Sequence, residues 1–160
     1  MASYERVDVD TLRDAPNPTR RKKEVDEAVG AETFGFNLYV ADPGERLPWG
    51  THRHPNHEEL FYVVEGALEV EVEGETVPVS SGEALFIPMD VSNMARAVGE
   101  DPARVLAVGA PKEADDSIIE EACPSCGEVS DRTHRVEGDA YVLECTACGA
   151  DVERLTPGPD

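Results

Sequence analysis

Lysine is scarce in this 160-residue chain. It stands only at positions 22, 23 and 112, against eleven arginines and 34 acidic side chains, and the formal net charge is −20. A negative excess of this size repels phosphate backbones and anionic headgroups, which argues against nucleic acid or a membrane surface as partner. Long apolar runs are missing, so no transmembrane helix is predicted. The opening MASYERVDVD lacks the basic start and apolar stretch of a secretory signal, so a cytoplasmic protein is expected. No P-loop, dinucleotide fingerprint or G-x-S-x-G elbow occurs, which removes the chemistries that those motifs serve. Cysteine is confined to four positions, all in the last quarter of the chain.

What is present suffices for a folded domain of ordinary size with a small appendage, since 40% of the residues are hydrophobic. The acid surplus self-repels in dilute buffer and is screened over ~3 Å at molar salt, so adaptation to a salt-rich cytoplasm is expected. The chain divides by charge. Residues 1–30 are near neutral at −1, 31–111 carry −10, 112–120 carry −3 and 121–160 carry −6. Residues 1–30 read as an N-terminal arm packed on the next domain, broken at Pro16, Asn17 and Pro18. RRKKEVDEAVG predicts a short helix ending at Gly30, with the basic patch Arg20–Lys23 as a solvated face. Residues 112–120 read as an acidic linker and 152–160 as a C-terminal tail.

Residues 31–111 read as β structure. Gly66, Gly74 and Gly82 recur every eight residues as turns, and Ala67–Glu73 alternates Leu68, Val70 and Val72 with Glu69, Glu71 and Glu73. A period of two is a strand with one face buried and one wet. Further strands are expected at Thr33–Ala41, Leu60–Val64, Thr76–Val79, Glu83–Ile87, Asn93–Val98 and Ala103–Val108. Short strands at regular spacing make the fold class all-β, a sandwich or barrel.

Three of the four histidines fall within six residues, in G50-T-H-R-H-P-N-H-E-E59. On a strand, His52 and His54 project from the same face. Imidazoles aimed at one point suit a divalent ion, and a carboxylate from the following strand completes a two-histidine, one-carboxylate set. The acidic pair Glu58-Glu59 that begins that strand offers it, with Glu58 expected to be exposed. His57 is expected to be an exposed loop histidine. Arg53, between the two histidines, should face away from the ion, and Arg96 is a further candidate anion partner. Trp49, Phe61, Tyr62, Phe86 and Met89 are candidates to line a pocket or to fill the core.

The chain at this point resembles the cupin superfamily. His52-x-His54, four residues, Glu59, six residues and Gly66 match the first cupin motif, with the leading glycine out of register. Gly82, five residues and Pro88 open the second motif. Asp90 then stands where glycine is usual, Asn93 where a fourth ligand histidine is expected, and Ala97 where asparagine is usual. The resemblance spans residues 31–111 and implies a jelly-roll β-barrel with a metal inside its mouth. It carries His52, His54 and Glu59 onto ligand roles and leaves the fourth position to Asn93, water or substrate. The metal is Fe, Mn, Ni or Zn, unresolved among the four. Dioxygenases, isomerases, metal-free epimerases and ligand sensors all occur among similar proteins, and the resemblance further implies a homodimer paired through edge strands.

Cys123-x-x-Cys126 and Cys145-x-x-Cys148, each followed by glycine and separated by eighteen residues, form a tetrathiolate signature. Arg132–Val136 and Ala140–Glu144 flank the turn Glu137-Gly138-Asp139. Over residues 121–151 this resembles a zinc ribbon, a small β-hairpin module whose metal supplies folding energy. Two disulfides are the alternative, disfavoured in a reducing compartment. His134 is expected to be exposed and not a ligand. The expected protein is therefore a metal-binding cupin barrel acting on or binding a small polar metabolite, followed by a structural zinc ribbon. The alternative is a non-catalytic sensing or dimerising barrel whose ribbon docks a protein partner.

Overall fold

A computed structural model describes residues 3–19 and 21–158. Two five-stranded antiparallel sheets face one another. The first, in spatial order, runs β1 (Lys22–Glu24), β2 (Gly35–Ala41), β9 (Ala103–Ala110), β4 (Glu58–Glu65) and β7 (Ala84–Ile87). The second runs β10 (Ile118–Ile119), β3 (Arg46–Arg53), β8 (Asn93–Val98), β5 (Ala67–Val72) and β6 (Glu75–Ser80). From β2 to β10 successive strands alternate between the sheets in the jelly-roll manner, except for the β5–β6 hairpin within the second, and Leu47, Phe61, Val63, Leu68, Val70, Ala95 and Val105 meet between them as a closed core. The alternation in β5 places Leu68 and Val70 fully inside while Glu69 and Glu71 face water. Each such side chain buried contributes about 1.5–3 kcal/mol over its exposed state. Among the described residues no helix is long and apolar enough to cross a membrane.

Three segments differ from the pattern read in the sequence. The helix before Gly30 is only α1 (Val25–Val29), closed by Gly30 in the left-handed conformation; Lys22–Glu24 before it are extended and pair with β2. Lys22 and Lys23 are not a solvated face. Lys22 turns into the barrel mouth, and Lys23 is tied to Asp14 and to the Leu12 carbonyl; Arg20 lies outside the described residues. Residues 118–119 pair with β3. The third sheet comprises β11 (Arg132–Glu137), β12 (Ala140–Cys145) and β13 (Asp151–Leu155), so residues 152–155, read as tail, form most of its last strand.

Candidate metal centre and its cavity

His52 is the last residue but one of β3, His54 follows the strand, Pro55 and Asn56 turn the chain, and Glu59 enters on β4. His52 and His54 are almost completely buried. The His52 Nδ1 lies 2.8 Å from the Gly50 carbonyl, and the His54 Nδ1 lies 3.2 Å from the Asp116 carbonyl. A carbonyl only accepts, so each Nδ1 carries a proton, and in the neutral imidazole each Nε2 presents its lone pair. Both Nε2 atoms face one carboxylate: Glu59 Oε2 is 3.8 Å from His52 Nε2 and Oε1 is 3.5 Å from His54 Nε2. Asn93 sits directly across from His52 in the β3–β8 pair and is 1% exposed. Opposed residues share a face. Its amide donates to the Val91 carbonyl, leaving Oδ1 free.

Around this site four buried atoms lack any hydrogen-bond partner: His52 Nε2, His54 Nε2, Glu59 Oε2 and Asn93 Oδ1. With the imidazoles neutral all four are acceptors, and buried acceptors without a donor are costly. A divalent cation between His52, His54 and Glu59 satisfies three of them together. His52, His54 and Glu59 could hold a metal, their ligand atoms lying within 4.8 Å of one another. Burial works to raise the Glu59 carboxyl, but the flanking imidazoles outweigh it and hold it well below the usual carboxylate range. Burial likewise pulls His54 down, and Glu59 and Asp115 more than reverse this.

His57 departs from expectation. It is 3% exposed, donates from Nδ1 to the Pro111 carbonyl at 2.9 Å, and lies against Gly109. The turn at Pro55-Asn56 folds it inward beside His54, with ring centroids 5.1 Å apart. Glu58 and Arg53 point outward, Arg53 to Asp90 and Glu120, and Arg96 binds the Gly44 carbonyl. Trp49 lines the cavity and Phe61 lies in the core, whereas Tyr62, Phe86 and Met89 do neither and are exposed. The cavity beside the metal ligands is about 220 Å³. It is also lined by Lys22, Asn37 and Tyr39 from the sheet that carries Glu59, and by Asp115 and Ile119, none of them singled out from the sequence. The Asn37/Tyr39 alternation on β2 was the one local signal that they share a face.

The four cysteines gather at the other end of the chain. Cys123 and Cys148 Sγ are 3.8 Å apart and Cys126 and Cys145 Sγ 3.9 Å apart. Roughly 3.8 Å is the edge of a tetrahedron with 2.3 Å metal–sulfur bonds. Gly127 and Gly149, both at positive φ, return their amides to the Cys123 and Cys145 carbonyls and close each knuckle. A hydrogen bond from Ser130 draws Cys145 down to about 6, favouring thiolate. This cluster, too, could hold a metal. His134 is exposed, as read from the sequence, but its ring packs against Trp49 and Tyr141.

The family model described as "Cupin domain" matches residues 37–109. A Streptomyces cyaneus protein named polyketide synthase CurC is 41% identical over 120 residues, covering 72% of this chain and 70% of that one. Among solved structures, KdgF from Halomonas sp. aligns with a TM-score of 0.56 and 26% identity, over 70% of this chain and 96% of that one. A sugar phosphate isomerase of the cupin superfamily from Silicibacter pomeroyi aligns with a TM-score of 0.59 and 19% identity, over 92% and 91% of the two chains. That last likeness is one of fold.

Proposed function

The chain belongs to the cupin family, and from that premise we propose that it is a metal-dependent barrel acting on a small, oxygen-rich metabolite. The similarity to a protein named as a polyketide synthase supports a polyketide-type substrate. One observation carries the reading: three buried acceptor atoms, from His52, His54 and Glu59, converge beside a cavity and have no donor, and Asn93, directly across from His52, leaves its Oδ1 without a partner as well. An Fe, Mn, Ni or Zn ion there supplies a Lewis acid for a carbonyl or enolate oxygen, or, when redox-active, a means of using dioxygen. The protein's own part is to hold the two imidazoles in one tautomer through Gly50 and Asp116, and to exclude water with Trp49 and Ile119.

Zinc in the four-cysteine module is structural in this reading, since a closed tetrathiolate leaves no open position. The outer face of the first sheet exposes Leu60, Tyr62 and Phe86 side by side, which supports pairing of two chains there; sedimentation of Tyr62→Lys as a monomer would bear this out. The decisive experiment is elemental analysis of the pure protein. Wild type should carry two ions per chain, Glu59→Gln one zinc, and Cys145→Ser one barrel ion. A single zinc in wild type, lost on Cys145→Ser, would leave the barrel without metal and overturn the reading.

A further inference from the structure

We propose that Lys22 makes the barrel cavity a receptor for a small molecule with an ionised oxygen (carboxylate, enolate or phenolate), held by the ammonium in the cavity that the metal ligands also line. The inference rests on the metal-centre reading for the metal end of that cavity only. β1 pairs with β2 so that Lys22 lies directly opposite Tyr39, and directly opposed residues project from one face. Both side chains line the same cavity as His52, His54 and Glu59. The Lys22 side chain is 16% exposed, with Nζ 3.0 Å from Glu24 Oε1 and 6.0 Å from the centre of the Tyr39 ring.

Charge is what makes this placement informative. In a chain at −20 with three lysines, an anion finds a favourable field only where cations are concentrated. Lys23 is bound to Asp14, and Lys112 is bound to Asp26 and Glu27. Among the described residues Lys22 is the one lysine or arginine lining the cavity. Its ion-pair partner Glu24 is 42% exposed, so water can satisfy that carboxylate when a ligand takes the ammonium. The carboxylates inside are committed elsewhere: Glu59 to the ligand set, Asp115 to His54 at 3.2 Å and His57 at 3.8 Å. Burial disfavours the Lys22 charge, but Tyr39, Glu24 and Asp115 more than offset it, so the group stays cationic.

Two neutral donors stand beside the ammonium. Burial pushes the Tyr39 hydroxyl up by more than Lys22 pulls it down, so it stays protonated, and Asn37 follows two residues earlier on the same face. Ammonium, phenol and amide, lining one cavity together with the metal ligands, fit a ligand with more than one oxygen function.

Trp49 is the sole tryptophan and lines this cavity, so its fluorescence reads binding. The metal-loaded protein is titrated with benzoate and with its neutral isostere benzamide, in wild type, Lys22→Met and Lys22→Arg. Wild type should prefer benzoate, and Lys22→Met should lower the benzoate-to-benzamide affinity ratio about tenfold, as loss of one charge-assisted hydrogen bond requires. Any share of the preference due to the metal is common to both proteins and cancels in that comparison. Lys22→Arg should keep most of the ratio; if Lys22→Met loses benzamide binding as well, the arginine variant decides. An unchanged ratio in Lys22→Met, a ratio lost in Lys22→Arg as well, or no benzoate binding to wild type would overturn the proposal. Metal content is measured on the same samples. A chain holding only the ribbon zinc, yet showing the Lys22-dependent ratio, would sink the metal reading and leave the anion site standing.

Discussion

Protons and a metal ion would compete for the same atoms of His54 and Glu59, and the two partners' shifts give the competition its sign. Glu59 is depressed from 4.5, so it stabilises the fold above that value and the gain is lost as the pH falls further. His54 is raised from 6.5, so its contribution is present below that value and is lost as the pH rises through its elevated pKa. The metal-free protein should therefore melt highest between those two limits. Metal needs a neutral imidazole, so the loaded protein should behave oppositely at the upper limit and gain stability as His54 deprotonates. Melting curves with and without added metal at about pH 6 and about pH 8 check this; parallel shifts in both forms would contradict it. Among single residues, the ligand trio was legible in the sequence because its spacing is local. The inward turn of His57 was not, because it depends on a pocket over Gly109 that the distant strand β9 creates.

Strands set how well such pockets are filled. β5 could be read directly, since apolar and acidic residues alternate without interruption. β3, which carries His52, could not be delimited: Pro48 and Gly50 look like breakers, and its register with β8 shifts between Leu47 and His52. β1 was hidden for another reason. Three residues, Lys-Lys-Glu, have no apolar period at all, and only pairing with β2 makes them a strand. The close fit of β9 against the histidine turn is testable. A Cβ at Gly109 would lie 2.0 Å from His57 Nε2, so Gly109→Ala must displace the ring or the strand. The expected cost is about 1–3 kcal/mol, as for other overpacked sites. Denaturant unfolding should show it, with Gly74→Ala, where a Cβ meets nothing within 4 Å although φ is positive, as a control for backbone strain alone.

For the molecule as a whole, the four-cysteine module backs the cavity through Trp49 and β3. Arg46 on β3 binds Glu153 on β13 through two hydrogen bonds of 2.9 and 3.0 Å, and Glu121 accepts from the Thr51 amide. Trp49 lies edge-on to His134 at 5.8 Å and to Tyr141 at 6.4 Å. The module has few buried apolar side chains of its own, so a metal held by its four cysteines would contribute much of its folding energy. Cys145→Ser should therefore loosen it and free Trp49, shifting the tryptophan emission to the red, while the barrel keeps its own core and unfolds in a separate transition. An unchanged emission maximum would mean that Trp49 is held by the barrel alone. Composition, strand alternation and the two ligand spacings were settled by the sequence, because each is a relation between near neighbours that backbone geometry translates directly into a face or a turn. Lys22 beside Tyr39, Asn93 across from His52, and the ribbon against Trp49 were decided only by the tertiary structure, because each joins residues far apart in the chain through sheet register and docking, which leave no mark on local order.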